Sequence, residues 1–193
     1  MTQCEEAIIP NLKVGHRKRF TEGMLDSDLI LHELNISSGQ TVVDAGCGNG
    51  YMALLFSKQV EESGKVYALD LNTHSIECLC DEAAGTNITT MACDFAEPTP
   101  IPSASVDIVY MSTVLHSQSK KRLQGIVQEV QRLLRPGGLF AVVEIEKHET
   151  LFGPPLKQRY SPEELQAVIP FAPVKTMPVA EHFYLQVFQM RTL

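Results

Sequence analysis

Between Thr41 and Glu146 five short, nearly all-apolar runs alternate with stretches of helical period, and that alternation leaves few architectures open. "TVVDAG", "KVYALD", "NITTMACD", "VDIVYMS" and "LFAVVEIE" read as strands. Helical spacing covers residues 51–62, with Met52, Leu55, Phe56 and Val60 on one face, then a segment from Asn72 or Thr73 to about Gly85, then residues 119–135. The last of these stops at "RPGG". Apolar strands joined by helices predict a parallel sheet covered on both faces.

The flanks differ in pattern. Residues 27–34 read as a short helix before the sheet, and residues 1–22 as an N-terminal lid. Beyond Glu146 a long loop, residues 147–160, holds Gly153, Pro154 and Pro155. Ser161 then caps a short helix with Pro162 at its first position and Glu164 completing a capping box. "VKTMPV" and "HFYLQVFQM" predict a closing antiparallel pair, whose exposed edge could support a dimer. With no repeat and no linker, residues 1–193 are expected to be one domain.

The 44% hydrophobic and 20% charged content suits a globular chain. No apolar run reaches the roughly 18 residues of a membrane span. The N-terminus lacks the basic-then-apolar order of a signal peptide, so the cytoplasm is expected. A net charge of −7 argues against a nucleic-acid partner, and "HRKRF" at 16–20 reads as a solvated or lid segment. Five cysteines, Cys4, Cys47, Cys78, Cys80 and Cys93, show no C-x-x-C spacing. They read as free thiols and no structural metal is expected, with Cys80 placed in an apolar stripe beside Ile76, Leu79, Ala83 and Ala84.

A strand running into Gly46, Gly48 and Gly50 and then a helix places a ligand at the carboxyl edge of the sheet. Glycines there admit positive φ or a contact that a Cβ would block. A mononucleotide P-loop is excluded, because Tyr51 and Met52 stand where Lys and Ser/Thr belong. A dinucleotide turn wants G-x-G-x-x-G and meets G-x-G-x-G. Asp44, immediately before the loop, suits a cationic ligand better than a pyrophosphate.

The D-x-G-x-G-x-G run at 44–50 resembles motif I of the class I S-adenosylmethionine-dependent methyltransferases. Asp70 matches the family's acidic residue for the ribose hydroxyls, and Asp94-Phe95 its adenine contacts. "VDIVYMSTVLHS" and "LLRPGGLFAVVE" are similar to its fourth-strand and fifth-strand segments. The likeness is greatest to small-molecule enzymes of the ubiquinone/menaquinone and type 11 kind. It implies a Rossmann-like three-layer sandwich with a mostly parallel seven-stranded sheet and an antiparallel final strand. It further implies S-adenosylmethionine as cofactor, S-adenosylhomocysteine as product and a small-molecule acceptor. Cofactor contacts are expected from Asp44, Gly46, Cys47, Gly48, Gly50, Asp70, Leu71, Asp94, Phe95 and Met111. Cys47 is expected to act through its backbone.

Other residues are placed by position alone. His116 follows the fourth strand and is the candidate catalytic base, or else holds a loop. Glu144 and Glu146 share one face of the fifth strand; they could bind a cationic acceptor but are expected to meet solvent. His148, Phe152, Arg159 and Tyr160, with His16, Arg17 and Phe20, are expected to roof an acceptor pocket. Methyl transfer by in-line displacement is the expected reaction. The alternatives are a cofactor-binding protein without transferase activity and, on the fold, a nicotinamide oxidoreductase.

Overall fold

The computed structural model describes residues 22–190. The expected lid over residues 1–22, with His16, Arg17 and Phe20, lies outside them except for Glu22. Seven strands form one sheet: β1 (Thr41–Ala45), β2 (Lys65–Asp70), β3 (Ile88–Ala92), β4 (Val106–Ser112), β5 (Leu134–Ile145), β6 (Ala172–Ala180) and β7 (Phe183–Gln189). Their order is β3-β2-β1-β4-β5-β7-β6. Strands β1 to β5 are parallel, and β7 runs antiparallel to both β5 and β6. The sheet expected from the sequence is present, including its antiparallel last strand.

Among the described residues five α-helices cover it: α1 (Ser27–Leu34), α2 (Tyr51–Val60), α3 (Thr73–Glu82), α4 (Lys120–Leu133) and α5 (Pro162–Val168). Successive strand side chains point to opposite faces, so each strand feeds two cores. Val42, Val66, Ile108 and Val143 pack with Leu34, Phe56 and Leu79 of the first three helices. Val43, Val109, Phe140 and Val142 pack with Ile126, Val130 and Leu165 of the last two. Asp26, Asn72, Ser119 and Ser161 cap their helices as acceptors, and Ser161 with Glu164 closes the full capping box. Helix α2 starts instead from Gly50, with no side-chain cap.

Two sequence expectations are corrected. "RPGG" does not merely separate helix from strand, because β5 already begins at Leu134. Val106 pairs with Leu134 and Ile108 with Leu139, so the intervening residues form a bulge inside the ladder. Cys80 is only half-buried and Ala84 exposed, since α3 turns Ile76, Leu79 and Ala83 inward instead.

At the open edge, β6 carries Pro173, Lys175 and Pro178. Prolines lack the ladder donor and a lysine resists burial, so this edge is blunted against pairing with another strand. Among the described residues no helix is long and apolar enough to cross a membrane.

Candidate functional site

After β1 the chain steps outward through β2 and β3, then returns to the other side of β1 as β4. The connections leaving β1 and β4 diverge there, which opens a crevice at their carboxyl ends. A cavity of about 360 Å³ occupies that crevice.

Its floor is the glycine loop. The N–H groups of Gly46 and Cys47 both donate to Leu69 O, at 2.7 and 2.9 Å. Gly48 N donates to Asp70 Oδ2 at 2.8 Å. The three glycines are needed for different reasons. A Cβ on Gly50 would stand 2.2 Å from Leu79 Cδ1, and one on Gly46 2.5 Å from Val114 Cγ2, so the protein's own packing excludes side chains there. A Cβ on Gly48 would meet nothing within 4 Å. Gly46, Cys47 and Gly48 line the cavity, and Gly50 lies behind it.

Asp44 is 3% exposed, and its Oδ2 has no hydrogen-bond partner among the described residues. Burial lifts its carboxyl to about 7, with the Ala53 N–H opposing and the Asp70 charge adding to the rise. Asp44 thus takes a hydrogen bond from the Ala53 N–H in the first turn of α2, while its Oδ2 stays buried without a partner among the described residues. Burial and the nearby Asp44 and Asp70 charges push the Cys47 thiol far up, away from the reactive thiolate form.

Asp70 ends β2 and accepts from Gly48 N and Asn72 N, each at 2.8 Å, one bond per carboxylate oxygen. Each oxygen retains capacity for a further donor. Leu71 beside it is exposed, whereas Phe95 and Met111 are buried in the cavity wall. Asp94 also lines the cavity, but Arg122 grips it from α4 at 2.7 and 2.9 Å. That guanidinium holds the Asp94 carboxyl below its usual range. Gln118 Oε1 accepts from Arg122 Nε at 2.8 Å and extends the network.

His116 does not reach this wall. It sits in the 3-10 turn Leu115–Ser117, where its Nδ1 lies 2.7 Å from Glu144 Oε2. Glu144 Oε1 accepts from Leu115 N at 2.7 Å and His116 N at 3.3 Å. The expectation that Glu144 meets solvent is corrected: it is 1% exposed and ties β5 to the β4 turn. Glu146 is half-buried and pairs with His148 Nδ1 at 3.1 Å.

None of residues 147–160 lines the cavity. Arg159, expected to face an acceptor, is buried and spends every N–H on its own loop. It donates to the carbonyl oxygens of Glu146, His148, Phe152 and Pro154 and to Thr150 Oγ1, at 2.7–3.1 Å. His148 contacts His182, and Phe152 stacks on Phe183.

Sequence reasoning missed Arg122, Tyr110, Ser112 and Cys93, all in the cavity wall. One signal was legible for Arg122: cations in the first turn of α4 oppose the helix dipole and call for a partner.

A family model described as a methyltransferase domain matches residues 42–138, half of the chain. The chain belongs to this methyltransferase family. S-adenosylmethionine is the family's cofactor. The methyltransferase domain is 32% identical to an uncharacterised methyltransferase of Synechocystis, over 77% of this chain and 65% of that one. It is also 32% identical to the ubiquinone/menaquinone biosynthesis C-methyltransferase UbiE of Hahella chejuensis, over 67% of this chain and 49% of the relative. The chain thus spans about half to two thirds of the length of these curated relatives. A crystal structure of a methyltransferase from Aquifex aeolicus superposes with a TM-score of 0.78 over 90% of this chain and 94% of that one, at 24% identity.

Proposed function

We propose that this methyltransferase domain binds S-adenosylmethionine in the β1–β4 crevice and passes its methyl group to a small organic acceptor. One observation carries the reading: the open backbone of Gly48 lies bonded to Asp70 in a cavity that is also lined by the buried acid Asp44 and by Asp94 and Phe95. These residues fit a nucleoside with a cationic tail. Asp70 is assigned to the ribose hydroxyls, Asp94 and Phe95 to the adenine, and Asp44 to the positive end. Leu71 and Met111 supply apolar contact. When bound, the cofactor supplies an already activated methyl group, so the reaction is a direct in-line displacement.

The chain's own contribution is placement. Holding an acceptor in attack geometry contributes up to about 7–11 kcal/mol. His116 is assigned as a base for acceptors that lose a proton: Glu144 engages Nδ1 and leaves Nε2 as the nitrogen to receive it. The names of the relatives support a small-molecule acceptor.

Calorimetric titration with S-adenosylhomocysteine tests the reading, with NAD as control. Micromolar binding, weakened at least tenfold by Asp70→Ala, is expected; a preference for NAD overturns it. Turnover of S-adenosylmethionine against a panel of small acceptors then separates a transferase from a protein that only binds the cofactor.

A further inference from the structure

Two imidazoles meet at the end of the sheet, outside the crevice. Strands β5 and β7 pair antiparallel with Ile145 opposite Phe183, so the chain leaving β5 lies beside the turn that enters β7. Glu146 N donates to His182 O at 2.8 Å and continues that ladder. His148 follows, and its Nε2 lies 3.2 Å from His182 Nδ1. The rings meet edge to face with centroids 5.3 Å apart. Neither residue lines the nucleoside cavity.

The outer nitrogen of each ring has an acid beside it. Glu146 Oε2 is 3.1 Å from His148 Nδ1, and Glu181 Oε1 is 3.8 Å from His182 Nε2. A carboxylate holds the imidazole proton on the nitrogen it faces and leaves the opposite nitrogen as a bare lone pair. Here the opposite nitrogens are the two that face each other. Two such lone pairs repel unless a cation stands between them, either a shared proton or a metal ion bound to both. The span suits a metal. At a tetrahedral ion, metal–nitrogen bonds of about 2.0–2.1 Å hold two ring nitrogens about 3.3–3.4 Å apart. The backbone is fixed in advance, because His148 N donates to Glu146 O at 2.9 Å and His148 O accepts from Arg159 Nη1 at 2.7 Å. Both side chains are partly exposed, which gives an ion access from solvent.

We propose that His148 Nε2 and His182 Nδ1 form a two-imidazole site for a divalent late transition-metal ion, zinc or copper, with Glu146 and Glu181 orienting the rings from behind. Among the described residues no group of three His, Cys, Asp or Glu side chains is placed to hold a metal, so water completes the coordination. Neutral imidazole suits these ions, whereas magnesium prefers oxygen ligands. The absence of metal expected from the sequence was read from the cysteines; these ligands are histidines 34 residues apart. The bound ion staples the start of the 147–160 segment to the turn between β6 and β7, where the Phe152 ring covers His182 at 5.5 Å.

The experiment is calorimetric titration of the chain, free of any affinity tag, with zinc chloride in a non-chelating buffer. Wild type is expected to bind zinc with micromolar affinity, copper(II) more tightly and magnesium not at all. His148→Ala and His182→Ala should each weaken zinc at least tenfold, and Glu146→Gln about tenfold, the range for a lost partner behind a ligand. His74→Ala is the control, because His74 Nε2 lies 3.9 Å from Cys78 Sγ on α3, a second pair open to zinc. It is expected to leave the His148–His182 site unchanged. Zinc should raise the melting temperature of wild type and of neither histidine variant, and EDTA should reverse the rise. No zinc binding by wild type, equal affinity for magnesium, or unchanged zinc affinity in both histidine variants would overturn the site and leave a hydrogen bond between two imidazoles. His182→Asn decides the matter if either alanine variant melts lower without metal.

Discussion

Arg122 clasps Asp94 through two parallel hydrogen bonds, Nη1 to Oδ2 at 2.7 Å and Nη2 to Oδ1 at 2.9 Å, joining the first turn of α4 to the end of the third strand. The fork fixes the carboxylate at the cavity rim, a geometry that lysine cannot reproduce. Both groups are partly exposed, so the pair adds at most about 1 kcal/mol to stability. Its effect is expected in binding. Arg122→Lys should weaken S-adenosylhomocysteine about three- to tenfold in calorimetry while moving the melting temperature little, and an unchanged affinity would assign the fork to the fold alone.

The glycine loop permits a contrast within five residues. Gly50→Ala forces a methyl group into Leu79 at φ +80 and is expected to cost about 2–3 kcal/mol in urea denaturation. Gly48→Ala meets open space at φ +54, so its stability cost should stay near 1 kcal/mol while nucleoside affinity falls. Equal effects of the two substitutions on both measurements would sink the division of the loop into a packed and a ligand-facing part.

Asp44 makes stability and binding depend on pH in opposite senses. Its carboxyl rises from 3.8 to about 7 in the fold, chiefly by burial. Between those values the native protein keeps a proton that the unfolded chain has released, so stability falls as pH rises from about 4 to 7. An ammonium ligand needs the ionised form, so S-adenosylhomocysteine should bind more tightly as pH climbs toward 7, by up to about tenfold per unit. Asp44→Asn is expected to flatten both slopes, read by denaturation at pH 5 and 7 and by titration at the same two values.

Glu144 accepts three hydrogen bonds from the β4 turn and is sealed from water. Glu144→Ala strands the N–H groups of Leu115 and His116 and should destabilise by about 2–4 kcal/mol. Glu144→Gln retains a carbonyl acceptor and should cost less; a loss as large as that of alanine would count against the acceptor role.

The fold was legible because it rests on periodicity. Val42, Val66, Ile108 and Val143 announce buried strands by their own chemistry, and Ser161 with Glu164 marks a helix start four residues at a time. The site was legible where residues are consecutive, as in the run from Asp44 to Gly50. It was not legible where the contacts span the chain. Arg122 and Asp94 stand 28 residues apart, as do His116 and Glu144, and no local spacing couples them. Arg159 misled for a related reason: its loop was expected to roof an acceptor pocket, but here four loop carbonyls and Thr150 Oγ1 use every donor. The roles of the glycines likewise depend on Leu79 and Val114, which reach the loop only after folding.

The Arg159 clamp has a consequence for how such a chain can diversify. All its partners fall between Glu146 and Phe152 or at Pro154, so the segment carries its own internal brace. The side chain at its outer tip, Leu151, is fully exposed and can change without a compensating change in the sheet. The segment behaves as an interchangeable cassette: a lineage could exchange its tip to meet new molecules while the nucleoside crevice, held by other bonds, stays as it is.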